Sequence, residues 1–235
     1  MNLVSLHFRH GEDFLKNLEQ FRSLVVQTPP SSIVLAPELA LTGYITKELD
    51  LTDFNAKVFE ALKTLSKNRT ICLTLIIKEK EKQYNRFVAF LDGKQIYSQN
   101  KAKLFTMNKE HLFFQAGDLQ EIKLFDAFGL KIGVLICFEL RFTMLWEQLK
   151  GADVILIPAM WGKIRKQHLD ILSNSLAIAN QCFVIVSDSL NVEFTNINHI
   201  ITPFGEKIEN SHELNIQDVN LNEIQKMRRY LPVGI

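Results

Sequence analysis

The chain has 235 residues, 47% of them apolar and 23% charged, and its 27 Lys and Arg against 26 Asp and Glu leave a formal net charge of +1. That much apolar side chain excludes intrinsic disorder, and the even charge gives no electrostatic reason for nucleic acid or an anionic membrane as the main partner. No repeat, low-complexity stretch or Gly/Ser/Pro-rich linker divides the chain, so residues 1–235 read as one domain.

Strands and helices alternate along the sequence. Residues 2–7 read as a strand. Phe14, Leu15, Leu18, Phe21 and Val25 recur at helical spacing, and Thr28-Pro29-Pro30 stops that helix. A short buried strand over 33–36 ends at Pro37-Glu38. Val58, Ala61, Leu62 and Leu65 mark the stripe of a second helix, and 71–77 is a strongly apolar strand. The alternating charges of Lys78-Glu79-Lys80-Glu81-Lys82 predict a solvated turn. Strands over 87–91 and 95–98 flank Asp92-Gly93, a hairpin signal. Later strands are expected over 122–125, 131–136, 154–157, 183–187 and 200–202, with helices over 139–150 and 167–180. Several strands are continuous apolar runs, which are usually covered on both faces, so the pattern predicts mixed sheets in a layered α/β domain.

The N-terminus lacks a basic start followed by a long apolar run, so no signal peptide is expected. The longest apolar stretch, 154–161, falls far short of the roughly 20 residues that span a bilayer. The expectation is a soluble, cytoplasmic protein with no membrane partner. Cys72, Cys137 and Cys182 are odd in number and widely spaced, which is no disulfide framework. The six histidines (His7, His10, His111, His168, His199 and His212) show no metal-binding spacing, and no metal or cofactor is expected. His199 reads as a strand residue, and Lys226, Arg228 and Arg229 read as a solvated basic cluster.

Four segments carry candidate chemistry. In Ile136-Cys137-Phe138-Glu139-Leu140-Arg141-Phe142 an apolar strand runs into a cysteine with a helix-compatible segment after it. A helix N-terminus there would lower the thiol pKa, and the Phe138 N–H would help bind an oxyanion. A small buried core cysteine is the competing reading. Glu38 ends a buried strand, where a charge needs a partner or a job. Lys101 and Lys103 follow the hairpin, and Glu110 precedes Leu112-Phe113-Phe114-Gln115-Ala116-Gly117.

Together these segments resemble the nitrilase, or carbon–nitrogen hydrolase, superfamily, which uses a Glu–Lys–Cys triad with a second glutamate nearby. Pro37-Glu38 with Thr42-Gly43-Tyr44 matches its first motif. Lys101-Ala102-Lys103-Leu104-Phe105 matches Lys-x-His-Leu-Phe, with Lys103 in place of the histidine, and this register selects Lys101. Cys137-Phe138-Glu139-Leu140-Arg141-Phe142 matches Cys-Tyr-Asp/Glu-x-Arg-Phe, and Gly151-Ala152-Asp153 and Pro158-Ala159-Met160-Trp161 follow in order. The resemblance covers nearly the whole chain.

It implies a four-layer α-β-β-α sandwich of two mixed β-sheets and a homodimer. It also implies Glu38, Lys101, Cys137 and Glu110 as catalytic residues, with Phe138, Trp161 and Tyr44 against the substrate. The implied activity is hydrolysis of a small linear amide through a cysteine acyl-enzyme. The nucleophile motif resembles omega-amidase-like branches; the Cys-Trp-Glu-Asn of true nitrilases is absent. An N-carbamoyl amino acid or amine hydrolase, a non-catalytic interaction protein and a redox thiol protein remain alternatives, though no resolving cysteine lies near Cys137. A class I glutamine amidotransferase is disfavoured by the residues flanking Cys137. The chain departs from the family in places. Its Arg-Ala-x-Glu-Asn motif appears as Leu176-Ala177-Ile178-Ala179-Asn180, so Arg141 loses an expected acidic neighbour and needs Glu139, another group or solvent. Asn196-Ile197-Asn198 replaces a Gly-x-Ser segment. The C-terminus is short for a family that often uses its tail in dimer contacts.

Overall fold

The structure, a computed structural model, describes residues 1–45, 49–210 and 213–235, so His212 lies outside the described residues. β1 (Asn2–Leu6) sends Leu3 to one face and Val4 and Leu6 to the other. Both faces are buried, which is why the strand reads as almost unbroken apolar sequence. α1 (Phe14–Val26) begins at Asp13, whose carboxylate accepts from the Leu15 and Lys16 N–H groups, and it buries Leu18, Phe21 and Val25. That cap satisfies two of the N–H groups every helix start leaves free. β2 (Ser32–Leu35) and α2 (Thr52–Leu65) follow, then β3 (Arg69–Glu79), β4 (Lys82–Leu91) and β5 (Lys94–Asn100). The charge run turns only at Lys80 and Glu81, and its outer residues extend β3 and β4. Asp92 and Gly93 both take positive φ, as a tight hairpin turn requires.

The second half contributes β6 (Phe125–Ala127), β7 (Leu130–Val134), α3 (Thr143–Gln148), β8 (Val154–Ala159), α4 (Lys166–Asn180) and β9 (Phe183–Asp188). β10 (His199–Ile201), β11 (Lys207–Glu209), β12 (Leu214–Asp218) and α5 (Asn222–Tyr230) complete it. The first sheet has the order β12-β1-β2-β3-β4-β5 and the second β11-β10-β9-β8-β7-β6. Both are mixed: β1, β2 and β3 are parallel, as are β7, β8 and β9, while the outer pairs are antiparallel. Leu3, Ile33 and Phe87 of the first sheet meet Val134, Ile155 and Ile185 of the second. α1 and α2 cover the other face of the first sheet through Phe21, Val58 and Leu62. Leu145, Leu169 and Leu176 bring α3 and α4 onto the second sheet. The four-layer α-β-β-α sandwich is therefore present. Polar stitches cross between the sheets: Ser5 Oγ donates to the Val186 carbonyl at 2.7 Å and Ser187 Oγ to the Leu6 carbonyl at 2.9 Å.

Several elements differ from the sequence expectations. The strand expected over 122–125 begins only at Phe125, because Asp118 caps a 3-10 turn at Leu119–Glu121 through the Gln120 N–H. The strand expected over 131–136 is Leu130–Val134. The helix expected over 139–150 is two pieces, a 3-10 turn at Cys137–Arg141 and α3, separated by extended Phe142. No α-helix therefore starts at Cys137. At Gly133 in β7 an added Cβ would stand 3.0 Å from Leu149 side-chain atoms, so the chain after Cys137 packs directly on the strand before it. Arg228 is not simply solvated: its guanidinium donates to the Ala152 carbonyl at 2.7 Å. Among the described residues no helix is long and apolar enough to cross a membrane.

Candidate active site

The C-terminal ends of the parallel strands lie along one edge of the sandwich, where open α/β sheets generally place ligands. Glu38 sits just past β2, Lys101 directly past β5, Cys137 just past β7 and Trp161 just past β8. Lys101 is 1% exposed and Glu38 0% exposed. The Lys101 ammonium donates to Glu38 Oε1 at 2.7 Å, to Glu110 Oε1 at 2.6 Å and to Tyr44 Oη at 3.1 Å. All three donors of the ammonium are thus engaged. Burial alone would pull its pKa down; Glu38, Glu110 and Cys137 push it up, and the net direction is up. Asn85 Nδ2 donates to Glu38 Oε1 at 2.8 Å, while Glu38 Oε2 is buried with no hydrogen-bond partner among the described residues. Glu110 is fixed from behind by the Phe105 N–H and from the side by the Tyr44 hydroxyl. Tyr44, read from sequence as a pocket wall, is therefore also part of the polar cluster. Burial, followed by the two carboxylates and Cys137, raises its phenol pKa.

Cys137 is 7% exposed and takes φ +47°, the left-handed region. A non-glycine residue there costs on the order of 1–2 kcal/mol and persists only where its surroundings enforce it. The Met160 N–H points at its sulfur. The sequence expectation of a thiol lowered by a helix dipole is overturned. Burial and the Glu38 carboxylate raise the thiol pKa well above its ordinary value, against the opposing pull of Lys101 and the Met160 N–H. A raised thiol forms thiolate only at high pH. Labelling of Cys137 by an uncharged thiosulfonate, read by intact mass, is therefore expected to accelerate without levelling off from about pH 6 to about pH 9. A plateau by pH 7 would mean a lowered thiol. Cys72 and Cys182 are fully buried, their thiols raised by burial, and should stay unlabelled.

A cavity of about 280 Å³ opens on the cluster and is lined by Tyr44, Lys101, Glu110, Cys137, Phe138 and Trp161 among others. Glu38 alone of the expected site residues lies behind that surface. Phe138 packs against Phe105 and Phe142, with ring centroids 4.9 Å and 5.3 Å away. Arg141 lies over the Trp161 ring at 4.7 Å, with Nη2 3.1 Å from His168 Nδ1. It does not turn to Glu139. Arg165 lies over Phe105 at 5.1 Å and also lines the cavity. Among the described residues neither arginine forms an ion pair with a carboxylate, and burial followed by repulsion from Arg165 lowers the Arg141 pKa.

Two buried carboxylates were not legible as site residues. Glu139 accepts backbone N–H groups from both the cysteine and the lysine segments. Asp188, at the end of β9, accepts from the Trp161 N–H at 2.8 Å and the Thr195 N–H at 2.8 Å, so it fixes the pocket wall. Burial holds each at a pKa of about 7 against those N–H donors. Asp188 ends an apolar strand as Glu38 does, and that signal could have found it. Among the described residues no group of His, Cys, Asp or Glu is placed to hold a metal ion.

A buried lysine thus lies between two carboxylates and near a cysteine, at the strand ends of a two-sheet α/β sandwich. Residues 9–229 match the carbon-nitrogen hydrolase family, and the chain belongs to it. It is 31% identical over 219 residues to 2-oxoglutaramate amidase of Bacillus subtilis (strain 168), covering 86% of this chain and 83% of that protein. It is 25% identical over 223 residues to omega-amidase YafV of Escherichia coli (strain K12), covering 91% and 86%. The carbon-nitrogen hydrolase of Helicobacter pylori G27 shares the fold with a TM-score of 0.86 at 20% identity, over 99% of this chain and 93% of that one. Saccharomyces cerevisiae Nit3, a member of branch 10 of the nitrilase superfamily, does so with a TM-score of 0.84 at 21% identity, over 100% and 95%.

Proposed function

We propose that the protein is an amidase that hydrolyses a small linear amide bearing a carboxylate at its far end. The observation that carries the chemistry is the Lys101 ammonium, bound by both Glu38 and Glu110, in the wall of the cavity that Cys137 also lines. Cys137 Sγ attacks the amide carbonyl carbon, and its proton passes to Glu38, whose free Oε2 is available to take it. The oxyanion meets Lys101, which exchanges its long 3.1 Å contact to Tyr44 for it, and the Phe138 N–H. Glu38 returns the proton to the leaving nitrogen, and ammonia departs. Glu38 then takes a proton from water as that water attacks the thioester, and the carboxylic acid and free thiol result. Glu110 holds Lys101 throughout.

Arg141 and Arg165 support the carboxylate on the substrate. Among the described residues neither guanidinium has an ion-paired carboxylate, both line the cavity together with Glu193, and an anion between them would relieve their repulsion. The names of the relatives, 2-oxoglutaramate amidase and omega-amidase, point the same way. Ammonia release from succinamate, set against uncharged butyramide, tests this. Arg141→Leu or Arg165→Leu is expected to raise KM for succinamate about 10- to 100-fold and leave butyramide hydrolysis nearly unchanged. Equal effects on the two amides would remove the anion subsite. Carbon dioxide released with ammonia from N-carbamoyl compounds would assign a carbamoylase instead.

A further inference from the structure

We propose that Glu139 is a positioning residue: its one carboxylate clamps the turn bearing Cys137 to the segment bearing Lys101. The inference rests on the reading above, in which those two side chains carry the chemistry. Glu139 Oε2 accepts the Ile136 N–H at 2.7 Å, immediately before the nucleophile. Its Oε1 accepts the Ala102 N–H at 2.7 Å, immediately after the lysine. The Lys103 N–H also points at the carboxylate, and Gln99 Nε2 approaches Oε2 at 3.4 Å. One fully buried side chain thus gathers donors from both sides of Lys101 and from the approach to Cys137.

The chemistry of the group matters. Every neighbour is a donor, and an ionised carboxylate offers only acceptors. A glutamine would turn an NH2 toward one of those N–H groups. Among the described residues no lysine, arginine or histidine lies within ion-pair distance of Glu139, so the buried anion carries a desolvation cost that no salt bridge offsets. The contact to Ile136 also draws the chain into the tight turn in which Cys137 adopts φ +47°. Backbone in that region is kept only where the surroundings over-determine it, and the clamp supplies that constraint. Cys137 comes from the second sheet and Lys101 from the first, so Glu139 fixes the nucleophile against the cation across the join. A misplacement of about 1 Å in such a pair costs on the order of a hundredfold in rate.

The test uses the full chain with Glu139→Gln and Glu139→Asp, with Cys137→Ala alongside. Each variant is checked for folding by circular dichroism and thermal melting. With succinamate, Glu139→Gln is expected to lose about a hundredfold in kcat with KM within about threefold. Glu139→Asp keeps the charge but is too short to bridge both segments, and is expected to lose at least about tenfold in kcat. Without any substrate, thiosulfonate labelling of Cys137 in Glu139→Gln at pH 8 is expected to speed up at least about tenfold, as the freed thiol moves away from Glu38. Wild-type kcat in the folded Asp variant, or unchanged labelling in the Gln variant, would overturn the inference. A change confined to KM would also overturn it. If Glu139→Gln does not fold, the Asp variant decides. Hydrolysis surviving in Cys137→Ala would instead bring down the amidase reading, which keeps the two failures apart.

Discussion

Replacing Cys137 by alanine is expected to lower amide hydrolysis by at least about ten-thousandfold in kcat/KM while the protein stays folded. The loss is large because the proposed mechanism forms its acyl bond on Cys137, and the other two cysteines, Cys72 and Cys182, are fully buried away from the cavity. The fold survives because the exchange removes one small, nearly buried sulfur, a change worth about 1 kcal/mol. Removal of the thiol also leaves the Glu38–Lys101–Glu110 cluster intact, since those ion pairs do not pass through Cys137. Glycine sharpens the comparison. At φ +47° alanine keeps the left-handed strain and glycine is relieved of it, so Cys137→Gly should melt no lower than Cys137→Ala. Ammonia release together with thermal melts checks both parts. Hydrolysis surviving in either variant would remove the cysteine from the mechanism.

Lys101→Met is expected to abolish activity and to destabilise the protein by about 3–5 kcal/mol, a fall in Tm of roughly 6–20 °C for a chain of this size. Removing the ammonium strands Glu38 and Glu110 as two like charges in a buried site that is 0–2% exposed. Each carboxylate should respond by rising in pKa. The sign of the pH dependence follows. A carboxylate whose folded pKa lies above its unfolded value gives the unfolded state fewer protons, so stability is lost as pH climbs from about 4 toward the raised folded value. The Tm deficit should therefore be large at pH 8 and shrink toward pH 5. Calorimetric scans of wild type and variant at both values decide it. Equal melting temperatures at pH 8 would mean that the lysine does not neutralise the pair.

The parts of the fold that local pattern controls were legible. The stripe of Leu18, Phe21 and Val25 on α1 and the Asp92-Gly93 turn are each settled within a few residues. Of the candidate site, Glu38 and Cys137 stood out at the ends of apolar runs, whereas Lys101 and Glu110 follow polar residues and were singled out only by the family resemblance. What escaped was set by distant chain. Glu139 looked like a partner for Arg141, yet its acceptors are taken by N–H groups at 102 and 103 as well as 136. The raised thiol of Cys137 comes from burial and from Glu38, ninety-nine positions away in sequence, and its left-handed backbone follows no local pattern. α5 buries only Ile224 and Met227, too few to print a helical stripe. β11 is three residues long with exposed ends, below what alternation can reveal.

The sheet order carries a consequence for how the molecule comes into being. β1 lies between β2 and β12, with Val4 paired to Ile216, so the first sheet is finished only by one of the last strands of the chain. Glu38 and Lys101 follow strands of that sheet and Cys137 follows a strand of the other. A ribosome releases the N-terminal half first, and such distant pairings form late. Until the sheets close, Cys137 is not yet packed beside Glu38 and Lys101. On the proposed mechanism, hydrolysis therefore requires the closed sandwich.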